Sequence, residues 1–589
     1  MQRTTGWRGH LLTAATIFIT SALTVSCGST DLQGQTSEQS INANNQAVVQ
    51  PVTACENLTA LDITGIGGIG SKINSASSAD HDGIKVCAVE GTLAPEINFK
   101  TLLPQTTWTQ RYLQTGCGGL CGSLNIRIGA ADGCAPVDNG EFVLASTDMG
   151  HKGHGGEFGA DPQKRIDFAY HGVHLTALAS KALIQAYYGQ QPKYSYFTGC
   201  SDGGREALMA AQRYPEDFNG IVAGAPAMNF SVQNSFFHAW QAKSNTDSNG
   251  HTILHAERLP ILHNAVLAAC DTLDGQEDGL LTDPRACNFD PMSIVCDDHQ
   301  AGDTCLSNAE ATVAQKFYQG PKDAQTGTAL ALGGPQYGSE LSWPGVYVPR
   351  PGKDQLFSKM IVMGAIPYLI YQQNPPQPYD LNSFKFNLAS FEEIKPLYGL
   401  YSSTNTDLTA FKARGGKLML WHGWSDQHIS PINTIAYYEG VKKFMGEQTE
   451  EFLQLYLLPG MYHCAGGEGP NQFDMLSKVM AWVEQGITPS EVVAHQGSND
   501  QGPAAGTPDD GGSMAKSAGS ITRSRPAYPY PLIAQYTGQG DANSSDNYQP
   551  VQGNEGPKRY RWAGEEFMQP GYMLDCDVRN GQLECRKSQ

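Results

Sequence analysis

The sequence predicts an α/β fold: a mostly parallel sheet covered by helices on both faces and interrupted by one large insertion. Three observations carry this. Strand-like apolar runs alternate with segments of helical periodicity over residues 55–227, the rhythm breaks over residues 228–400, and it resumes over residues 401–545. Alternation of this kind is the pattern of parallel strands joined by crossover helices. With 589 residues, 40% hydrophobic and 16% charged, the chain is long enough for a large core.

Taken in order, residues 1–27 read as a secretion signal. Arg3 and Arg8 form a cationic start, and the apolar run over residues 11–25 is too short for a comfortable membrane span. Cys27 stands where a bacterial lipoprotein signal places its acylated cysteine, although Thr24 occupies a position that usually prefers Leu. A lipid anchor at Cys27 and simple cleavage with release both remain open. Residues 28–54 are poor in apolar residues and lack periodicity, so they read as a flexible linker. The expected location is secreted, periplasmic or at an outer surface.

Within the first core part, "EFVLASTDMG" reads as a buried strand. "RIDFAYHGVHLTALASKALIQAYYG" follows with apolar residues at helical spacing and Gly189 as its stop. "KYSYFTGC" is a strand, "GREALMAAQRYP" a helix and "GIVAGAPA" a strand. Residues 228–400 carry four cysteines, an acidic loop and many aromatics amid Pro and Gly, as expected of an insertion over the sheet. Afterwards come "GGKLMLWHGWSD" (strand), "SPINTIAYYEGVKKFMG" (helix), "EFLQLYLLPGMYHC" (strand) and "QFDMLSKVMAWVEQG" (helix). The Gly/Ser/Pro-rich stretch after Gly497, with a tail over residues 546–589, yields no clear elements.

The formal charge of −19 argues against binding nucleic acid or anionic membranes, whose phosphates would be repelled. Fourteen cysteines in an exported chain should be mostly disulfides. The short spacings Cys270/Cys287, Cys296/Cys305 and Cys576/Cys585 suggest local loops without fixing connectivity.

Gly199-Cys200-Ser201-Asp202-Gly203 sits between a strand and a helix, the setting in which Gly-x-Ser-x-Gly presents a nucleophilic serine on a strained turn. The bland alternative is a glycine-rich surface turn. A serine hydroxyl needs a base, and the base an orienting acid. Asp426 and then His463 follow Ser201 in chain order, each just past a strand. Other histidines compete less well. His151 and His154 precede the serine and read as loop hydrogen-bonders, His422 as a residue lining the pocket, and His428 as part of a solvated loop. Cys200 precedes the serine and Cys464 follows the histidine, so a bond between them would hold nucleophile and base together. Oxyanion N–H groups are expected from Asp202 and from Gly118 in "QTGCGGLCGS".

"CDTLDGQEDGLLTDPRAC" supplies hard oxygen donors at short spacing: side chains of Asp271, Asp274 and Asp278 and backbone carbonyls of Gln276 and Leu280. It resembles a structural calcium loop that is not an EF-hand, the alternative being a solvated acidic turn.

Together, "GCSDGGREALMAAQRYPEDFNGIVAGAP", "CDTLDGQEDGL", "DLTAFKARGGKLMLWHGWSD", "LLPGMYHCAGGEGPNQFDML" and "RSRPAYPYPLIAQYTGQGD" resemble the tannase/feruloyl esterase family, which includes bacterial hydrolases of mono(2-hydroxyethyl) terephthalate. The resemblance implies an α/β-hydrolase core with a lid over residues 228–400, the triad Ser201, Asp426 and His463, the Cys200–Cys464 bond, and calcium in the lid. It also implies the pairs Cys55–Cys87, Cys270–Cys287 and Cys296–Cys305. Where the family tends to have a cysteine this chain has Ala527, leaving Cys576–Cys585 as a separate tail bridge. Cys117, Cys121 and Cys134 are extra, and Cys121–Cys134 is the expected pair. The implied activity is a serine esterase acting on small esters of aromatic acids, feruloyl or galloyl, with lid aromatics stacking the acyl ring. Candidate substrate contacts are His422, Arg350, Lys353 and Phe357. The terephthalate-ester alternative would need a cationic clamp, and Lys353 stands where an Arg is expected, without its planar fork. The alternative of another class is a non-catalytic, calcium-stabilised surface-binding lipoprotein.

Overall fold

A computed structural model describes residues 46–297, 302–498, 520–557 and 559–588. The expected signal segment, Cys27 and most of the linker lie outside the described residues.

Nine strands form the main sheet: β1 (Lys72–His81), β2 (Ile84–Leu93), β3 (Ile97–Pro104), β4 (Arg111–Thr115), β5 (Phe142–Thr147), β6 (Tyr194–Cys200), β7 (Gly220–Gly224), β8 (Lys417–Gly423) and β9 (Leu453–Leu458), in the spatial order β1-β2-β3-β5-β4-β6-β7-β8-β9. From β5 to β9 every pairing is parallel, while β1, β2 and β3 form an antiparallel meander that joins β5. The meander departs from the expected strand–helix alternation. Asp82 and Gly83 both have positive φ (51° and 84°), the turn that lets two strands reverse without a crossover helix.

The crossover helices are α1 (Gly172–Tyr188), α2 (Asp202–Arg213) and α3 (Pro431–Met445), and α4 (Leu476–Gln485) follows β9. Helix α1 stops at Gly189 in the left-handed conformation, φ 75°. Adjacent strand residues face opposite ways, and two cores result. Phe197 and Leu420 join the larger apolar cluster with α1 and α3, while Tyr196, Met419 and Trp421 join a second one with α4. Between β7 and β8 the described residues form helices and short turns without a strand, and a third apolar cluster (Leu262, Phe317, Trp343, Tyr347) lies there.

The described residues after β9 form more regular elements than the sequence suggests. β10 (Val492–Gly497) pairs with β11 (Ile521–Ala527), β12 (Leu532–Tyr536) with β13 (Tyr548–Gln552), and β14 (Leu574–Arg579) with β15 (Gln582–Lys587). The last hairpin carries Cys576–Cys585 and is tied back to α2, since Arg213 Nη1 donates to Asp575 Oδ1 at 3.0 Å and Nη2 to Leu574 O at 2.8 Å.

Candidate active site

The parallel strands end on one edge in register: Cys200 of β6 faces Gly224 of β7, which faces Trp421 of β8. In open α/β sheets the carboxyl ends of the strands are where ligands bind. The sequence-predicted residues all leave from that edge, Gly118 after β4, Ser201 after β6, Asp426 after β8 and His463 after β9.

Ser201 has φ 66° and ψ −123°, a conformation costly for a residue with a Cβ. Backbone bonds hold it there. Its N–H donates to Gly224 O at 3.0 Å, and its carbonyl accepts from Ala227 N at 2.9 Å and Arg205 N at 3.1 Å. The turn also requires glycine neighbours, because a Cβ on Gly199 would lie 2.4 Å from Gly203 O and one on Gly204 would lie 2.4 Å from Gly224 O. The loop after β4 runs against the start of α2, with Cys117 N 3.1 Å from where a Gly203 Cβ would be; Gly118 is the next residue of that loop. Arg205, fully buried, fixes the helix start through Nε to Asp202 Oδ1 (2.6 Å) and Nη2 to Asp202 Oδ2 (2.9 Å), and its Nη1 donates to Ala169 O.

Asp426 is buried and uses both oxygens. Oδ1 accepts from the N–H groups of His428 (2.8 Å) and Ile429 (2.9 Å); Oδ2 accepts from His463 Nδ1 at 2.7 Å and His422 Nε2 at 3.0 Å. Burial alone would raise its pKa, but the His463 charge and the two imidazole hydrogen bonds outweigh burial and hold the carboxyl well below the usual range. The Cys200–Cys464 bond, across a separation of 264 residues, ties the residue before Ser201 to the residue after His463.

His422 does not line a pocket. It is fully buried behind Asp426, its Nε2–H shared between Asp426 and Ile429 O (3.1 Å) while its Nδ1 accepts from Thr434 Oγ1 at 2.7 Å. Those partners fix its tautomer. His428 is not solvated either: its side chain is buried, 4.7 Å from the His463 ring and 4.3 Å from Phe357, edge to face. Burial comes from the inserted segment, whose Phe357 and His238 cover it; nothing in the local sequence signals that. Phe357 is thus brought to the site. Arg350 and Lys353 lie on a turn of the insertion, bridged to each other, with Arg350 Nε on Pro344 O at 3.4 Å and Lys353 exposed. His151 is buried against Phe158 with Nε2 on Leu120 O at 3.0 Å, and His154 is exposed.

Cysteine pairing requires one correction. Cys117 bonds Cys121, not Cys121 to Cys134, and Cys134 is a buried free thiol whose pKa burial pushes up to about 12. A separation of four residues suffices for the bond, with Cα atoms 6.0 Å apart. The remaining bridges are Cys55–Cys87, Cys270–Cys287, Cys296–Cys305 and Cys576–Cys585.

In the acidic loop Asp271 accepts from Gly279 N at 3.0 Å, Asp274 from Gln276 N at 3.0 Å and Thr282 Oγ1 at 2.6 Å, and Asp278 pairs with Arg525. Gln276 Oε1 takes the Tyr548 hydroxyl at 3.1 Å, and Leu280 N donates to Asp278 Oδ1 at 3.1 Å. As a donor set the loop suits a hard cation, being all oxygen. Its carboxylates are nevertheless engaged by backbone amides and Arg525, and among the described residues no three acidic, His or Cys side chains converge on a metal position.

Comparison with known proteins decides the family. The sequence model described as Tannase and feruloyl esterase matches residues 82–551. The chain belongs to that family. It is a family of carboxylic ester hydrolases, and the mostly parallel nine-stranded sheet is the α/β-hydrolase-like fold. An uncharacterized esterase of Xanthomonas campestris is 32% identical over 516 residues, covering 78% of this chain and 84% of its own. The mono(2-hydroxyethyl) terephthalate hydrolase of Piscinibacter sakaiensis is 32% identical over 530 residues, covering 78% and 84%. The crystal structure of an esterase from Aspergillus oryzae superposes with a TM-score of 0.71 at 26% identity, covering 85% of this chain and all of that one. No helix among the described residues is long and apolar enough to cross a membrane.

Proposed function

We propose that this tannase/feruloyl esterase family member is an exported serine esterase that hydrolyses small esters of aromatic acids, feruloyl or galloyl, through Ser201, His463 and Asp426. The observation that carries the reading is the chain of contacts at the sheet edge. Asp426 holds His463 by Nδ1, leaving Nε2 for a hydroxyl, and the Cys200–Cys464 bond keeps the serine turn beside that imidazole.

In the reaction, Ser201 Oγ attacks the ester carbonyl while His463 Nε2 takes its proton. The tetrahedral oxyanion accepts from the N–H groups of Asp202 and Gly118. Collapse expels the alcohol, protonated by His463, and leaves an acyl-Ser201. Water then attacks, giving its proton to His463, and a second collapse releases the acid and returns the proton to Ser201. Asp426 stays ionised and stabilises the imidazolium at each stage. Phe357 and neighbouring apolar residues of the insertion supply the wall for the acyl ring.

Export is supported by six disulfides among the described residues, a pattern of oxidising compartments. Calcium enters only as a structural ion of the Asp271–Asp274–Asp278 loop, with the Gln276 and Leu280 carbonyls as further donors. The support is the all-oxygen donor set within a 17-residue disulfide loop, and binding would have to displace the Arg525 contact with Asp278.

The test is turnover of methyl ferulate, methyl gallate, chlorogenate and mono(2-hydroxyethyl) terephthalate by the purified protein beside Ser201→Ala. Hydrolysis of the first three, absent in the variant, is expected. Turnover of the terephthalate ester alone would replace the aromatic-acid reading and put Arg350 and Lys353 next for substitution. A protein that hydrolyses none and takes no fluorophosphonate at Ser201 would be the non-catalytic binder instead.

A further inference from the structure

Four imidazoles surround Asp426, and three have evident work. His463 and His422 bond its Oδ2. His238 is satisfied at both nitrogens, its Nδ1 bonding Gln241 Oε1 at 3.1 Å and its Nε2 accepting from Gln233 Nε2 at 3.2 Å. His428 differs. Its backbone is fully engaged, N–H on Asp426 and carbonyl on Gln233 Nε2, and its side chain is buried at 2% exposure, yet neither ring nitrogen has a hydrogen-bond partner. Its neighbour Gln427 is half-used: Oε1 accepts from His463 N at 3.2 Å while Nε2 is unpartnered. Buried polar atoms are nearly always paired, and each one left unpaired costs free energy. Unused hydrogen-bonding capacity directly beside a general base is what a substrate would complete.

We infer that His428 is a specificity-determining residue that hydrogen-bonds a ring hydroxyl of a hydroxybenzoyl acyl group. The inference rests on the Ser201–His463 reading. Burial first, and then the charge of His463, hold the His428 imidazole far on the neutral side of its ordinary range. A neutral imidazole offers one donor and one acceptor, and a phenolic hydroxyl offers the same pair in reverse. A substrate carboxylate can only accept and would want a cation there, which His428 does not supply. Reach narrows the class further. The His428 and His463 ring centroids are 4.7 Å apart, so the gap between a group bound to His428 and a carbonyl beside His463 is short. A benzoyl ring spans that gap directly, whereas a cinnamoyl group inserts two more carbons. Phe357, edge-on to His428, closes the apolar side.

The experiment compares kcat/KM on methyl gallate, methyl benzoate and methyl ferulate for the wild type, His428→Phe and His428→Asn. His428→Phe should lose roughly ten- to a hundredfold on methyl gallate, since polar groups built to meet a hydroxyl discriminate strongly, and stay within about threefold on methyl benzoate. His428→Asn, which keeps one donor and one acceptor, should recover part of the loss. Methyl benzoate serves as the internal control for folding and for the base. Equal losses on gallate and benzoate would overturn the inference, because His428 would then merely support His463; no loss on either would overturn it as well. A selective loss on ferulate would overturn the hydroxybenzoyl assignment. If the wild type turns over phenyl acetate and labels at Ser201 but handles no aromatic-acid ester, the aromatic-acid reading falls and this inference with it. If Ser201 takes no label, the serine-esterase reading itself has failed.

Discussion

Two polar turns in this molecule are each closed by a disulfide, and they are built on opposite plans. At the Ser201–His463 edge the bond Cys200–Cys464 spans 264 residues, joins the end of β6 to the loop after β9, and lies beside a carboxylate that two imidazoles and two backbone amides satisfy. At the acidic loop the bond Cys270–Cys287 spans 17 residues, and the carboxylates it encloses are met mainly by the loop's own amides. The first turn is held by the whole fold; the second largely holds itself. Loop-closure entropy grows slowly with length, so in the chain-entropy account the two bonds differ modestly in stability, about 5.6 against about 3.1 kcal/mol. What differs is what each positions. On the proposed mechanism the long bond fixes two groups that meet in one reaction, and the short one fixes a shape.

The largest effect that would sharpen this contrast comes from the proposed nucleophile. Ser201→Ala should lower kcat by about four orders of magnitude or more while the thermal midpoint stays close to that of the wild type. Retained turnover would mean the strained serine is structural. Next is the bond itself. Cys200→Ser with Cys464→Ser should lower kcat by about a hundredfold at temperatures where the protein remains folded, because slight misplacement of reacting groups costs that much. Cys270→Ser with Cys287→Ser should lower the thermal midpoint and leave kcat within about twofold. If both pairs of substitutions cost activity equally, the contrast is wrong.

Much of the first turn can be read from the sequence. Gly-x-Ser-x-Gly needs only a strand before it and a helix after, and both neighbours carry strong local periodicity. Asp426 and His463 are found because each ends an apolar run of strand length. His428 and His422 are misjudged for a reason of physics rather than pattern: their burial is made by Phe357, His238 and Thr434, which are distant or on the other side of a turn, and for His428 a loop just past a strand usually means solvent. The Cys117–Cys121 bond was one of the local pairings that spacing allows, but spacing alone did not choose it over Cys121–Cys134. The β1–β3 meander was also legible, in the Asp82-Gly83 turn between alternating strands. The tail hairpin carries the same kind of signal, Asn580-Gly581 with both φ positive (51° and 72°), and only its docking on α2 was not legible, because that depends on Arg213 and Asp575, far apart in sequence.

An acid titration comes third in size. Burial lowers the pKa of His238 to about 3, with His463 adding to the shift and Gln241 and Asp426 opposing it, and it lowers His428 below the usual value as well. A histidine depressed in the folded state binds fewer protons than the unfolded chain between the folded value and about 6.5. Its contribution is therefore complete above about pH 6.5 and is lost as pH falls, at about 1.4 kcal/mol per pH unit for each such group. Asp426, depressed below the carboxylate range, adds a loss of the same sign only below about pH 4. Urea unfolding between pH 6.5 and 4.5 should show this slope, and His238→Gln should reduce it by nearly one proton. An unchanged slope would mean that His238 is not held neutral.

The smallest effect belongs to the acidic loop and tests its independence most directly. Calcium that binds only the folded protein stabilises it by about 2.7 kcal/mol at a hundred times its Kd, which in a chain of this size is a rise of a few degrees in thermal midpoint. Chelation should remove that rise and leave kcat at 25 °C unchanged, because the loop's carboxylates are bonded to its own amides, Thr282 and Arg525 rather than to the serine site. Arg525→Ala gives the sharper comparison. With the guanidinium gone, Asp278 loses its counter-charge, so the variant should be less stable than the wild type in chelator and should gain more from added calcium. A variant equally destabilised with and without calcium would show that Arg525 is itself the cation the loop was built around. A variant that loses kcat as calcium is withdrawn would show that the self-held turn and the fold-held turn are one cooperative unit.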